Sequence, residues 1–475
     1  MSKLYIFGIG GTGSRVLRSL TMMLSAGVRL KNGIDEIVPI IIDPDCQNGD
    51  LLRTVDLMNN YMHISESLTF SEENKNTFFK TRINRILQNF TYTIKDTNDR
   101  KFKEFVNVPS MNRETQAMMK MLFSEKNLES SMDVGFKGNP NIGSVVLNQI
   151  AMSDDFTDIA NSFSQGDRIF IISSIFGGTG ASGFPLLLKT LRTEQSIPNH
   201  SLINNALIGA VTILPYFKVK QDNESEIDSS TFISKTKSAL AYYENNIVKN
   251  EEINALYYLA DEPKNSYDNN EGKAAQRNDA HLVEFLAATA IVDFCNSDVT
   301  TDETRNNELG IKDINEENSA TITFSSFHDG LKDMLAEPLT QLTLTANCFN
   351  DKFSYVSSST LSGNGKLGLS TDFYRSSFVK NLQQHLYYYR DWLSELKSNK
   401  RSLDLFNLEC GDKPFTVMTD ITEKRVMSLK SNYDLFYDEL STVAKKKCQS
   451  RKAEDKLLEM YSLATKELYD KKFNI

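Results

Sequence analysis

Paired cysteines and clustered histidines are both missing from this 475-residue chain. Its five cysteines lie far apart, and no two of them form a CxxC pair. The five histidines show no metal-ligand spacing either. The sequence therefore predicts neither a disulfide framework nor a metal site built from protein ligands. A reduced, cytoplasmic compartment fits this cysteine usage best.

Basic charge and long apolar runs are scarce as well. The net charge is −9 and the isoelectric point is near 5.3. A nucleic-acid-binding protein would show a concentrated basic surface, so we expect no nucleic-acid partner. No apolar run approaches the roughly 20 residues that a membrane-spanning helix needs, so the sequence predicts no transmembrane segment. Residues 1–10 have the pattern of a strand rather than of a signal peptide.

What the chain does contain is a strand followed by a glycine-rich turn and a helix. Residues 168–188 are RIFIISSIFGGTGASGFPLLL, in which an apolar run ends at Phe176 and glycines precede a helix-length apolar segment. Glycines let backbone amides approach a ligand, and the helix start adds unpaired N–H groups and the positive end of its dipole. This order predicts a phosphate-binding turn. Because no Gly-Lys-Ser/Thr follows, it is not a Walker A loop, and a tight turn in a doubly wound sheet is the alternative.

Two further glycine loops also stand directly before a helix. A strand at 3–8 continues into GIGGTGS at 8–14, a complete G-x-G-x-x-G match of the kind found in dinucleotide-binding enzymes. The other loop is GFKGNPNIGS at 135–144. A strand at 37–42 ends in DPDCQ, whose carboxylates fit either a ribose contact or a capped turn. Three glycine loops in an alternating α/β pattern predict one shared polyanionic ligand.

In this order the motifs resemble the nucleotide-binding loops of the tubulin/FtsZ superfamily. GIGGTGS, DPDCQ, GFKGNPNIG and FGGTGASG follow one another as the family's loops do, and FGGTGASG is similar to the signature GGTG(S/T)G. The resemblance continues through VTILPYF at 211–217 and through Asn278-Asp279 before an apolar helix, and it covers residues 3 to about 295. It implies an α/β fold with a Rossmann-like GTP-binding domain, a core helix, a smaller second α/β domain and C-terminal helices.

The resemblance and the local composition together divide the chain into regions. We expect a nucleotide-binding domain over 1–280 with an insertion at about 50–130, a core helix and catalytic-type loop over 281–298, a linker over 299–318, a second α/β domain over 319–425 and a C-terminal helical region over 426–475. Within the second domain, residues 321–324, 342–346 and 415–418 have the pattern of strands.

The resemblance also implies a role for each loop. It assigns the diphosphate to the first loop, the magnesium shell to DPDCQ, the γ-phosphate to the third loop, the α- and β-phosphates to the fourth, and guanine N1 and N2 to an aspartate. The residues so implied are Gly10, Gly11, Thr12, Gly13 and Ser14; Asp45 and Gln47; Gly138, Asn139 and Gly143; Gly177, Gly178, Thr179 and Gly180; and Asp279. GTP or GDP with Mg²⁺ is the expected ligand. Ala275 stands where we expect an aromatic residue against the base, which leaves guanine selectivity open.

Catalysis is expected where the core helix ends. In the family this loop enters the nucleotide site of the next subunit, where acidic groups orient the attacking water. Asn296 and Asp298 reproduce the Asn-x-Asp spacing, and a solvated acidic loop is the alternative. Whether the chain hydrolyses GTP therefore stays open.

The resemblance implies a GTP-binding protein of the prokaryotic tubulin/FtsZ type that assembles head to tail into filaments and hydrolyses GTP at the subunit interface. One alternative is a non-polymerising, nucleotide-sensing scaffold in a larger assembly such as a phage-defence system. A Rossmann oxidoreductase is another, although it would leave two of the three glycine loops unused. The C-terminal helices, whose counterparts in tubulins meet partners, are the place where a protein partner would dock.

Overall fold

The computed structural model describes residues 2–473 except 71–73, 98, 133–134, 137, 220–231, 251, 262–265, 268–272, 298–304, 309–310, 313–320, 363–365 and 425–429. The strands in this part are β1 (Ser2–Ile9), β2 (Ile34–Ile42), β3 (Arg82–Ile83), β4 (Arg168–Ser174), β5 (Leu207–Ile213), β6 (Lys218–Val219), β7 (Ala255–Leu259), β8 (Ser266–Tyr267), β9 (Arg305–Glu308), β10 (Thr321–Ile322) and β11 (Ser402–Leu403). The helices are α1 (Gly10–Ser25), α2 (Gly49–Ser65), α3 (Phe102–Phe105), α4 (Arg113–Leu122), α5 (Glu125–Leu128), α6 (Pro140–Leu147), α7 (Asp154–Ser162), α8 (Gly178–Thr193), α9 (His200–Asn204), α10 (Phe232–Tyr243), α11 (Leu282–Asn296), α12 (Asp329–Asn350), α13 (Phe353–Val356), α14 (Ser377–Ser398), α15 (Asn432–Lys446) and α16 (Ala453–Lys472). Among the described residues, no helix has the length and apolar character that crossing a membrane requires.

A seven-stranded sheet forms the centre of the described chain, and every neighbouring pair of strands in it is parallel. The strand order is β3-β2-β1-β4-β5-β7-β9. Its first five strands follow the order of a Rossmann-type sheet. The central strands are buried almost along their whole length, which explains why they appear as continuous apolar runs in the sequence. The predicted α/β fold class is confirmed.

Because all strands of the sheet run the same way, their carboxyl ends lie along one edge. β1 ends at Ile9 directly before α1, and β4 ends at Ser174 shortly before α8. The two strands are neighbours, with Gly8 paired to Ile172. On the other side of β1, Ile42 at the end of β2 pairs with Ile9. The chain thus leaves β1 at the topological switch point, where ligands bind in open α/β sheets.

The predicted core helix is present as α11. It begins at Leu282 after His281, whose Nδ1 accepts the backbone N–H of Val283 at 3.1 Å. Nearly every residue up to Cys295 is buried, because α11 packs against α1, β5 and β7. A helix that is apolar on all sides requires such complete burial.

The region 319–425 is more helical than predicted. Residues 342–346, expected to form a strand, lie inside the 22-residue helix α12. The β-branched residues that favoured a strand bond back to the helix: Thr343 Oγ1 donates to the Leu339 carbonyl at 2.7 Å, and Thr345 Oγ1 to the Gln341 carbonyl at 2.8 Å. These hydrogen bonds give both threonine hydroxyls an acceptor within the buried helix. The strand expected at 415–418 is instead a short 3₁₀ turn.

The C-terminal half packs directly on the helices that border the central sheet. Trp392 of α14 is fully buried, its indole N–H donates to Ser19 Oγ at 3.3 Å, and its ring lies 5.9 Å from that of Phe285 in the core helix. Asp455 of α16 accepts the backbone N–H of Thr69 at 2.7 Å. α16 is therefore buried on most of its sides, and little of it remains as a surface for a partner.

A serine, a histidine and an asparagine form a row between α1, α2 and α14. His385 Nε2 lies 2.7 Å from Ser25 Oγ, and Nδ1 lies 2.8 Å from Asn60 Oδ1. Ser25 and His385 are fully buried. Burial lowers the pKa of His385 to about 3. Because His385 is sealed from solvent, we assign the row to helix packing and not to catalysis.

We expect His385 to make the fold sensitive to acid. An unfolded histidine has a pKa of about 6.5, whereas the folded pKa is about 3. The neutral ring of His385 makes its full contribution to the free energy of unfolding when the pH is above the pKa of the unfolded histidine. This contribution is lost as the pH falls toward the folded pKa, by up to ~1.4 kcal/mol per pH unit. In urea denaturation, His385→Gln should flatten the decline in stability between neutral pH and about pH 5. His63→Gln, at an exposed position, should keep the wild-type slope, and equal slopes in both variants would contradict the assignment.

Candidate nucleotide-binding site

Three of the predicted loops come together at the carboxyl edge of the sheet. A Cβ placed on Gly10 would lie 3.6 Å from Thr179 Cβ, and one on Gly135 would lie 3.8 Å from Thr179 Oγ1. A Cβ on Gly178 would lie 3.0 Å from the backbone nitrogen of Gly138. Thr179 is therefore the residue at which the first, third and fourth loops meet.

The helices α1 and α8 begin at this meeting point without side-chain caps. The residues before these helices are Ile9 and Gly177, and neither has a side chain that accepts a hydrogen bond from the first N–H groups of its helix. Neither helix carries an acidic residue in its first turn. The first N–H groups of a helix have no partner within it and carry partial positive charge. Gly10 has a φ of +70° and Gly138 a φ of +72°, which only glycine adopts readily. Such an arrangement suits an anion.

The predicted site residues divide by their access to solvent. The accessible ones are Gly10, Gly11, Thr12, Gln47, Gly138, Asn139, Gly177, Thr179 and Asp279, and the buried ones are Gly13, Ser14, Asp45, Gly143, Gly178 and Gly180. The Ser14 hydroxyl is sealed and has no hydrogen-bond partner among the described residues. The Asn139 carboxamide caps α6, since Oδ1 accepts the backbone N–H groups of Asn141 and Ile142 at 3.1 and 3.4 Å. The Ser14 hydroxyl is thus closed to solvent, and the Asn139 carboxamide oxygen is used by the start of α6.

Several of the predicted glycines serve packing. A Cβ on Gly180 would lie 2.5 Å from the Ser174 carbonyl oxygen, and one on Gly13 would lie 2.3 Å from the carbonyl carbon of Gly8. Gly143 lies within α6, where a Cβ would lie 2.2 Å from Ser182 Oγ on α8. Their missing side chains let helices approach strands and each other. The part of Gly143 in a γ-phosphate loop stays a prediction.

The turn after β2 carries two buried carboxylates. Asp43 accepts the backbone N–H of Asp45 at 3.0 Å, and burial raises the pKa of Asp43 to about 7. Asp45 accepts the N–H of Gln47 at 3.1 Å and that of Lys273 at 2.5 Å. Within the described residues there is no group of three or more acidic, histidine or cysteine side chains that could hold a metal ion. One or two carboxylates suffice for Mg²⁺ when phosphate oxygens and water supply the remaining ligands, so this turn fits a nucleotide-borne ion.

Three nitrogen-bearing side chains that the motifs did not predict lie beside Gly11. A Cβ on Gly11 would lie 3.5 Å from Arg15 Nη1, 3.5 Å from Asn48 Nδ2 and 3.6 Å from Gln276 Nε2. The segment that carries Gln276 is held against α2, because its carbonyl accepts the N–H of Asp50 at 3.0 Å. No motif joins these positions, since they lie in three distant parts of the chain. The local signals are that Arg15 directly follows GIGGTGS, Asn48 directly follows DPDCQ and Gln276 stands two residues before Asn278.

A further cation lies at the third loop. Lys235 of α10 donates from Nζ to the Gly138 carbonyl at 2.9 Å. No motif in the sequence predicted a role for Lys235, which follows the acidic stretch at 222–228.

Asp279 lies at the surface, near the charges of Glu395, Arg53 and Arg18. Partial burial and the neighbouring Glu395 raise its pKa. The preceding Asn278 donates from Nδ2 to Asp50 at 2.8 Å. Asn278 therefore contacts α2. The charged residues that act on Asp279 lie where α14 packs against α1 and α2.

Asn296, one of the two predicted catalytic residues, lies at the far end of α11. Asn296 Oδ1 accepts the backbone N–H of Lys31 at 2.8 Å, and Nδ2 donates to the Arg29 carbonyl at 3.4 Å. These contacts hold the turn before β2, at the amino edge of the sheet. Asp298 lies outside the described residues.

No protein-family model matches the chain, and a search of curated proteins finds no match. Among solved structures, it is similar to CetZ2 from Haloferax volcanii, described as a GTPgS-bound protofilament, with 14% identity and a TM-score of 0.27. It is also similar to CetZ from Methanosaeta thermophila strain DSM 6194, with 15% identity and a TM-score of 0.24.

Each match covers 55% of this chain, and 49% and 46% of the respective solved chains, so the matched part spans about half their length. At these identities and TM-scores the likeness carries no argument about the fold, ligand or assembly of this chain.

We expect a substitution of Gly180 to lower the stability of the fold, whereas a substitution of a glycine with free space around it should not. Gly180→Ala places a methyl group against the Ser174 backbone, and such overpacking costs about 1–3 kcal/mol. Gly330→Ala is the control, because nothing lies within 4 Å of its Cβ position in α12, and it should be neutral or stabilising by about 0.5–1 kcal/mol. Thermal unfolding of ligand-free protein measures both. A Gly180→Ala protein with wild-type stability would show that this glycine is not needed for packing.

Proposed function

We propose that this protein binds GTP where the three glycine loops meet, assembles head to tail, and hydrolyses GTP between subunits. The observation that carries the proposal is the convergence of Gly10, Gly138 and Thr179, with two uncapped helix starts, at the carboxyl edge of a parallel sheet. Several loops around one opening suit a chain of phosphates better than a single anion. An oxidoreductase of the Rossmann type would need only the first loop, so it explains less.

The charges around the loops favour a triphosphate with Mg²⁺. Lys235 brings a positive charge to the Gly138 carbonyl in the loop assigned to the γ-phosphate. With a pKa of about 7, Asp43 carries less than a full negative charge near neutral pH. Asp45 and Gln47 are the residues that would hold Mg²⁺. The ion would neutralise phosphate charge when bound.

Head-to-tail assembly follows from where the two predicted halves of the active site lie. The phosphate loops are at the carboxyl edge, near the start of α11, and Asn296 is at its other end. A helix of 15 residues is about 22 Å long. One subunit cannot close this distance, because α11 is buried in the core. A second subunit stacked along the helix direction could bring its loop to the phosphates of the first.

The nucleotide-sensing scaffold is the second candidate, and the contacts of Asn296 favour it. Its carboxamide is already bonded to the backbone of Lys31 and Arg29. An amide held in this way stabilises a turn and does not orient a water molecule. In a scaffold, α15 with its exposed Lys445 and Lys446 would be the C-terminal surface for a partner, since α16 is largely buried. The five free cysteines fit a cytoplasmic location for either candidate.

The site is tested with Thr179→Val, which keeps the shape of the side chain and removes its hydroxyl. Losing a hydrogen bond to a charged phosphate costs about 1.5–3 kcal/mol, so GTP should bind at least tenfold more weakly in calorimetric titration. Thr193→Val is the control, because Thr193 is exposed near the end of the same helix. Equal GTP affinity in wild type and Thr179→Val would contradict the assignment of GTP binding to the three loops.

Assembly-dependent hydrolysis is tested by measuring GTP turnover per molecule against protein concentration. If neighbouring subunits complete the site, turnover should rise steeply and vanish below a critical concentration. Asp298→Ala should then bind GTP normally and hydrolyse it slowly, because binding and catalysis use opposite edges of the sheet. A flat rate near zero together with tight GTP binding would support the scaffold instead.

A further inference from the structure

We propose that the turn at residues 29–33, here called the latch turn, holds Asn296 against its own subunit and must release it before a neighbouring subunit can dock. The inference rests on the proposed head-to-tail assembly and adds a device that regulates it. The latch turn lies between α1 and β2 at the amino edge of the sheet, and Asn296 is the last residue of α11.

The latch turn and the end of α11 are joined by side-chain amides from both sides. Asn32 Nδ2 donates to the Cys295 carbonyl at 2.7 Å and lies 3.5 Å from the Ser297 carbonyl oxygen. In return, Asn296 Oδ1 accepts the backbone N–H of Lys31 at 2.8 Å, and its Nδ2 donates to the first carbonyl of the turn at 3.4 Å. The last carbonyls of a helix have no partner within it. Asn32 therefore also caps α11.

The latch turn keeps its shape without α11. The Ile34 N–H donates to the Lys31 carbonyl at 3.2 Å, which closes a four-residue turn. Its two central residues, Asn32 and Gly33, have φ values of +57° and +75°. Asn and Gly are the residues that turns with two positive φ values favour. The local sequence thus specifies the turn, and loss of the contact with α11 does not require it to unfold.

The end of α11 is also held independently of the latch turn. The Ser297 N–H bonds to the Asp293 carbonyl at 2.8 Å and so completes the last helical turn. Arg168 in β4 donates from Nη1 to the Phe294 carbonyl at 3.3 Å. Asn296 and Ser297 are half-exposed, so a second subunit can reach them. Two parts that each keep their shape, joined through side-chain amides at the surface, can separate while the fold stays intact.

The closed contact competes with docking. Because both ends of the Asn296 carboxamide bond to the latch turn, this side chain is turned back onto its own subunit. A neighbour that uses the same carboxamide must first displace the turn. When only the open state can bind, the apparent affinity is reduced by the fraction of molecules that are open. The latch turn therefore raises the protein concentration at which assembly begins.

Asn32→Gly tests the latch, because glycine adopts the positive φ readily and removes the amide. In ligand-free protein, hydrogen exchange of the latch turn should become faster by about tenfold, as expected when hydrogen bonds of ordinary net strength are lost. Exchange in β4 should stay unchanged. The threshold concentration for assembly with GTP, measured by light scattering, should fall by the same factor, because both quantities report the open fraction. Asn89→Gly is the matched control, since Asn89 is exposed and has a φ of +52°.

Asn32→Asp is a second variant that keeps the size of the side chain and also tolerates the positive φ. It replaces the donor with a negative charge at the carboxyl end of α11, where the helix dipole disfavours it. The assembly threshold should fall at least as far as in Asn32→Gly. Asn89→Asp, which adds the same charge elsewhere, should keep the wild-type threshold. A lower threshold in only one of the two Asn32 variants would contradict the latch.

The remaining outcomes separate the latch from the assembly on which it rests. Faster exchange with an unchanged or higher threshold would show that Asn32 only stabilises the turn, and it would overturn the latch while assembly stands. Unchanged exchange would overturn it as well, because the contact would then not hold the turn. If neither wild type nor variant assembles with GTP at any concentration, the latch and the proposed assembly both fail. Light scattering does not depend on GTP hydrolysis, so a failure of hydrolysis alone leaves the result valid.

Discussion

The buried guanidinium of Arg15 is the interaction on which the rest of the structure depends. It forms an ion pair with Glu284 in the core helix and another, at 2.9 Å, with Asp50 in α2. Burying a charge is costly unless it is paired, and breaking such a pair by removing one partner costs about 3–5 kcal/mol. The pairing continues outward and alternates in sign, from Asp50 to Arg53 at 3.0 Å, from Arg53 to Glu395 at 2.9 Å and from Glu395 to Arg18 at 2.5 Å. Three arginines and three carboxylates therefore compensate one another across α1, α2, α11 and α14.

This chain of ion pairs explains why the C-terminal half packs directly on the helices that border the central sheet. Glu395 belongs to α14, yet its partners are in α1 and α2, and it also accepts the backbone N–H of Ala280 at 2.8 Å. Burial acts to raise the pKa of Glu395, but Arg18 and Arg53 outweigh it and lower the value. The segment that carries Gln276 is thus fixed at one end by α2 and at the other by α14. The position of this segment therefore depends on a helix more than 100 residues further along the chain.

The sequence predicted those parts of the fold whose signals are local. At β1 and at β4 a strand, a glycine turn and a helix follow one another directly, and this order alone places two of the loops at one edge of a parallel sheet. The loop before α6 follows no strand directly, and its place beside Gly178 depends on a tertiary contact. Other features depend on tertiary contacts. Residues 342–346 carry β-branched side chains, but burial against α14 and α16 and back-bonded threonine hydroxyls keep them helical. The sequence did not predict that Arg15, Asn48 and Gln276 lie together beside Gly11 for the same reason, because no local pattern connects these residues. Gly180 shows the converse case, in which a glycine inside a correctly placed motif serves packing against Ser174.

Arg15 also links the ion pairs to the candidate site, because Nη1 both bonds to Asp50 and lies beside Gly11. A nucleotide bound as proposed would have its phosphates on α1, α6 and α8. The buried helix α11 itself runs from the neighbourhood of these elements to the turn held by Asn296, and so spans the sheet from its carboxyl edge to its amino edge.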